Sequence, residues 1–197
     1  MHIKNVKVYG EDKRFEEGEI FIDEDRGIFA EGENLPEGKV IDGEGCFAVP
    51  GFIDIHFHGC KGYDFCDGTI EAIEKIAEYE ASVGVTAICP ATMTLPAEEL
   101  EHILATAAGY RKGAHGADLV GVNMEGPFIS EEKKGAQDAR NICRCDAGMF
   151  RRFQNAAEGL VKYIGIAPEK EGALEFVEEV KDEVHVSLAH TNADYDS

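Results

Sequence analysis

Two histidines one residue apart, His56 and His58, close the apolar run FIDIHFH, and a glycine follows them. Alternate side chains of an extended strand point to one face, so the i, i+2 spacing aims both imidazoles the same way, as two ligands of one metal centre require. Two further residues of ligand type stand at comparable places: Glu125 closes LVGVNMEG and His190 closes VHVSLAH. Three imidazoles and a carboxylate form a borderline nitrogen and oxygen donor set suited to zinc, iron(II) or manganese. Singly, each residue has a plainer reading. An HxH pair is as readily a solvated or hydrogen-bonded pair, a glutamate before Gly-Pro caps a turn, and a histidine ending a strand is often a satisfied polar group. What joins the four is their matching position at the ends of apolar runs.

The elements that must position them follow from periodicity. Five apolar runs, FIDIHFH, VTAICPAT, LVGVNMEG, VKYIGIAP and VHVSLAH, alternate with TIEAIEKIAEYEASVG, PAEELEHILATAAGYRKG, DAGMFRRFQNAAEG and GALEFVEEVKDE, where apolar residues recur three and four apart. In the first of these helical segments Ile70, Ile73, Ala77 and Ala81 fall on one stripe, and Gly84 is placed to end the helix. Apolar strands joined by helical crossovers specify a parallel sheet in an α/β fold. Spacing permits either a smaller open sheet or the front part of a (β/α)8 TIM barrel. Polar residues gathered at the C-terminal strand ends favour the barrel, here a partial one of about five strands. Before Phe52 the rhythm differs: HIKNVKVYG, EGEIFID, GIFAEG and KVIDGEGCFAVP are short strand-like runs punctuated by Gly and Asp, a small β unit.

Composition excludes several functions. The 197 residues are 44% hydrophobic, enough to bury a sizeable core. A net charge of -20 repels phosphate backbones and anionic bilayers, so neither nucleic acid nor a membrane is expected as a partner. No run of 18 apolar residues occurs, and the opening MHIKNVKVYGEDKRF lacks the layout of a secretory signal; a cytoplasmic location is expected. The six cysteines form no CxxC pair and are expected to be free thiols.

The blocks VPGFIDIHFHG, VTAICPATMT, NMEGPFISEEKKGAQ, GIAPE and SLAHTNADYD together resemble the amidohydrolase superfamily and, within it, the N-acetylglucosamine-6-phosphate deacetylase family. The likeness runs from about Val6 to the last residue, and EGPF followed by KKGA discriminates better than HxH. The resemblance implies metal-dependent hydrolysis of the N-acetyl group of an amino-sugar phosphate substrate, N-acetylglucosamine 6-phosphate or its galactosamine epimer. Position by position, it implies that Glu125 and His190 bind the catalytic metal and that His56 and His58 match a pair that holds a second one in some members, so that a binuclear site is permitted. The cofactor would be one or two divalent ions of zinc or iron. Ala136 and Gln137 fall where the family contacts the sugar phosphate, and many members carry histidine at the second place.

It further implies that residues 1–50 are the N-terminal part of a small β-sandwich domain built from both chain ends, and residues 51–197 the first half of the barrel. The family's further metal-binding histidine at strand 6, its catalytic aspartate at strand 8 and an arginine from a neighbouring subunit have no counterpart in these residues. No catalytic general base is therefore assigned, and the chain alone is expected to be inactive. Asp54 and Asn192 are candidates to fix histidine tautomers. A sheet stopping at its fifth strand has an unpaired edge, so a homo-oligomer is expected. A dihydroorotase-like or deaminase-like enzyme would share HxH but not EGPF and KKGA, and a non-catalytic truncated paralogue is the reading of a different class.

Overall fold

The structure is a computed structural model that describes residues 1–23, 28–29 and 38–195. Of the GIFAEG run only Ile28 and Phe29 lie within the described residues. Backbone contacts divide the chain into Met1–Pro50 and Gly51–Ser197.

The first unit is built on β1 (His2–Tyr9), with β2 (Phe15–Asp23), β3 (Ile28–Phe29), β4 (Val40–Asp42) and β5 (Phe47–Ala48). β1 and β2 form an antiparallel hairpin closed by Gly10 N–H donating to the Arg14 carbonyl at 2.8 Å, with the Asp12 carboxylate accepting from Arg14 N. β4 and β5 pair with β1 in parallel, and β3 pairs antiparallel with β2.

The second unit contains the strands β6 (Phe52–Asp54), β7 (Gly59–Cys60), β8 (Tyr63–Asp64), β9 (Val85–Ile88), β10 (Asp118–Leu119), β11 (Val122–Glu125), β12 (Val161–Ile166) and β13 (His185–Leu188). Its helices are α1 (Ile70–Ser82), α2 (Ala97–Gly109), α3 (Ala147–Ala156) and α4 (Ala173–Val180). β6, β9 and β10 run parallel, as do β11, β12 and β13. A parallel bridge between Ala91 and Asn123, with Asn123 N–H donating to the Pro90 carbonyl at 2.9 Å, carries the path from β9 to β11. Five successive segments therefore lie side by side, each joined to the next by a crossover containing one of the four helices, as the alternation predicts.

Local chemistry explains where the helices begin. Thr69 accepts from Ala72 N ahead of α1 and Asp146 from Met149 N ahead of α3, each satisfying a free N–H of the first turn. The buried face of α1 is Ala72, Ile73, Ile76, Ala77 and Glu80, with Ala81 partly buried against the core, so the predicted stripe holds except at Ile70, which is 45% exposed. Ile70 is the first helical residue, and the polar Glu80 lies on the buried face, which an apolar pattern does not show. Leu100, Ile103 and Leu104 of α2, Phe150 and Phe153 of α3, and Phe176 of α4 join Ile88, Met124, Ile164 and Ile166 of the strands in one core. Phe128 is wholly buried and meets Phe176 edge-on at 5.1 Å. Among the described residues no helix is long and apolar enough to cross a membrane.

Candidate metal centre

Glu125 is the last residue of β11, and the chain leaves it through Gly126, whose φ of +86° is open to glycine at little cost. A Cβ at Gly126 would lie 2.2 Å from Thr94 Oγ1, so the turn requires glycine for space as well. Thr92 Oγ1 accepts from Glu125 N at 3.3 Å and Thr94 Oγ1 donates to the Glu125 carbonyl at 2.9 Å. Two threonines of the segment after β9 thus hold the Glu125 backbone on both sides.

β6 ends at Asp54, so His56 and His58 sit just past the strand and not within it as predicted. The Asp54 carboxylate accepts from His56 N at 3.0 Å, and the Ala91 N–H bond to the Phe57 carbonyl at 2.7 Å keeps the segment close to the sheet. Both rings still converge, as the spacing required. His56 Nε2 lies 3.0 Å and His58 Nε2 3.4 Å from the same oxygen, Glu125 Oε2. His190 comes two residues after β13, at φ +47°, and its Nε2 lies 2.8 Å from the other oxygen, Glu125 Oε1.

The ligand atoms of His56, His58 and Glu125 all fall within 4.8 Å of one another, and His190 joins them through the far oxygen of the carboxylate. A tetrahedral zinc with bonds near 2.0 Å separates its ligand atoms by about 3.3 Å. The 3.0 and 3.4 Å separations around Glu125 Oε2 suit that geometry, so the donor set fits a divalent ion in both chemistry and spacing.

Supporting contacts differ from those the sequence suggested. Asn123 Nδ2 donates to the Ile55 carbonyl at 2.8 Å and lies 3.2 Å from His56 Nδ1. His190 Nδ1 lies 2.9 Å from the Lys133 carbonyl. Among the described residues the Asp54 carboxylate meets the His56 backbone and not its ring, and Asn192 Nδ2 turns to Glu132 Oε2 at 2.8 Å instead of to His190. The loop after His190 is held by Glu169, which accepts from Thr191 Oγ1 and Asn192 N at 2.6 Å each. His58 Nδ1 is buried with no hydrogen-bond partner among the described residues. Asn123 lies two residues before Glu125 on the same strand, but within an apolar run, and the His56 it meets stands 67 residues away in the chain.

Ala136 is exposed on the loop between β11 and α3, whereas Gln137 is 2% exposed. The Gln137 amide donates to Glu125 Oε1 at 2.5 Å and its oxygen accepts from Thr94 N at 2.7 Å. Burial works to raise the Glu125 pKa, but the hydrogen bonds from Gln137 and His190, with the nearby His58 and His190 charges, outweigh it and hold the carboxyl below its ordinary value. Glu125 is therefore an anion at neutral pH, as a metal ligand must be.

No protein-family model matches the chain. It is similar to the N-acetylglucosamine-6-phosphate deacetylase of Bacillus subtilis (strain 168), 29% identical over 98% of this chain and 50% of that protein. The enzyme of the same name from Bos taurus is 33% identical over 90% of this chain and 44% of its own. Among solved structures, the N-acetyl-D-glucosamine-6-phosphate deacetylase of Mycobacterium smegmatis superposes with a TM-score of 0.83 at 27% identity, covering 100% of this chain and 51% of that one. The chain spans about half the length of the curated relatives it matches.

Proposed function

We propose, on the premise that this chain is homologous to the N-terminal portion of the N-acetylglucosamine-6-phosphate deacetylases, that it supplies the metal-binding half of a hydrolase acting on an N-acetylated amino-sugar phosphate. The observation that carries the reading is the division of one carboxylate, Glu125, between His56 and His58 on one oxygen and His190 on the other. In this reading these four residues hold one or two ions of zinc or iron. A divalent ion bound there supplies Lewis-acid chemistry, polarising an amide carbonyl and acidifying water.

The remaining tasks fall to the protein. Both Glu125 oxygens are engaged, so Glu125 orients and does not carry the reaction's proton; the base lies in the half of the fold that these residues do not represent. On that account the 197-residue chain binds metal but deacetylates slowly, since loss of a general base costs on the order of 10²- to 10⁴-fold. The sugar phosphate passes the loop at the exposed Ala136, with Gln137 buried beneath it, where Lys133 and Lys134 place two cations in a chain of net charge -20. The five parallel segments are then the first five of a (β/α)8 TIM barrel, and residues 1–50 belong to a small β-sandwich. The enzyme is cytoplasmic and works as a homo-oligomer; the 197-residue chain by itself associates through the apolar side chains exposed on β6 and β13.

Metal content after loading and dialysis tests the reading. Wild type should retain zinc or iron in at least equimolar amount and E125A less than about a tenth of it. Equal content in the two proteins would remove the assignment. Loaded wild type should also bind N-acetylglucosamine 6-phosphate more tightly than the unphosphorylated sugar.

A further inference from the structure

We propose that Gln137 is a positioning residue for Glu125, its amide deciding which lone pairs of the carboxylate face the histidines. The inference rests on the metal reading above and goes beyond it. Gln137 is 2% exposed, and its orientation is set by the backbone: Thr94 N–H requires an acceptor at 2.7 Å, which puts Oε1 there and turns the NH₂ toward Glu125 Oε1 at 2.5 Å. The second amide hydrogen faces Met93 Sδ at 3.6 Å. The Gln137 backbone is held in turn, with Lys134 Nζ donating to its carbonyl at 3.0 Å.

A carboxylate oxygen offers two lone-pair directions. On Oε1 one is taken by Gln137, which leaves the other for His190 Nε2 at 2.8 Å; Oε2 is left to His56 and His58. The terminal torsion of a glutamate is broad and two-fold when nothing holds it. Here the amide closes that freedom and fixes the plane of the Glu125 carboxylate relative to the three histidines. Gln137 thus acts through Glu125, and its burial leaves it little surface with which to touch a sugar phosphate.

The test is a Co²⁺ titration of the chain, followed by equilibrium dialysis and visible absorption, on wild type, Q137L, Q137M, E125A and E125A/Q137L, with folding checked by circular dichroism. Loss of contacts that orient a metal ligand typically weakens affinity about 10- to 100-fold. Folded Q137L and Q137M should show that loss with a changed Co²⁺ band, and E125A/Q137L should bind no more weakly than E125A. Folded variants with wild-type affinity and spectrum overturn the inference and leave the metal reading standing. If Q137L and Q137M both fail to fold, the residue belongs to the support of the core and the inference is likewise overturned. A wild type that takes up no Co²⁺ removes the metal reading and the inference with it.

Discussion

β11 and β12 differ sharply from β6 and β13, although all four are short parallel strands. Every residue of β11 is buried and most of β12 is, each strand being joined to neighbours on both sides. β6 and β13 are paired on one side only among the described residues, and Phe52, Ile53 and Leu188 are 60%, 64% and 68% exposed. The candidate centre bridges these two kinds of strand. Glu125 comes from the buried interior, and the three histidines come from the ends of the exposed flanks. Rigid support is concentrated on the carboxylate, and the imidazoles are tethered to it.

The largest expected effect separates core from flank. F128A removes a wholly buried ring that meets Phe176 and should cost about 3–5 kcal/mol in denaturant unfolding. L188A on the exposed flank should stay within about 0.5 kcal/mol; comparable losses would erase the distinction. Saturating zinc should come next. At about 100 times its dissociation constant a ligand specific to the folded state adds about 2.7 kcal/mol, and the added hydrogen-exchange protection should fall at residues 55–58 and 189–192 with little change in β11. Protection confined to β11 would reverse the account of which parts the centre tethers.

Self-association is a smaller effect and reads the flanks alone. Acidic self-repulsion reaches about 30 Å at 0.01 M salt and about 8 Å at 0.15 M, so sedimentation should show oligomers growing with salt. I53K/L188K should suppress them; a compact monomer at every salt concentration would mean that the flanks close by themselves.

The alternation of strands and helices was legible because each strand is a run of β-branched and apolar residues, and each helix repeats its apolar residues at three and four. The four candidate ligands were legible because they stand where those runs end. What the sequence hid was the exact seat of each. The pattern FIDIHFH reads as one strand through His58, but pairing with β9 ends at Asp54 and the histidines lie in the following segment. The supporting contacts were hidden for a different reason. Thr92, Thr94, Asn123 and Gln137 meet Glu125 or His56 across 12 to 67 residues of chain, and no local spacing encodes such contacts.

The smallest effect concerns thiols and separates the two units of the chain. Cys46 of the first unit is exposed. In the second, burial pushes the Cys66 and Cys89 thiols up to about 12 and Cys145 to about 11. A raised thiol pKa keeps the group protonated, so at pH 8 these three should stay unreactive while Cys46 is labelled by a disulfide reagent. Their reactivity should rise when denaturant opens the fold; rapid labelling of the buried Cys89 at pH 8 in the folded chain would contradict the burial described.

X-ray absorption at the zinc edge of the loaded chain tests most directly whether Glu125 unites the histidines of both flanks in one centre. The account predicts a nitrogen and oxygen shell at about 2.0–2.1 Å with the multiple scattering of imidazole, reduced in H190A and in H56A/H58A alike. A sulfur shell near 2.3 Å, or an imidazole signal unchanged in H190A, would contradict it.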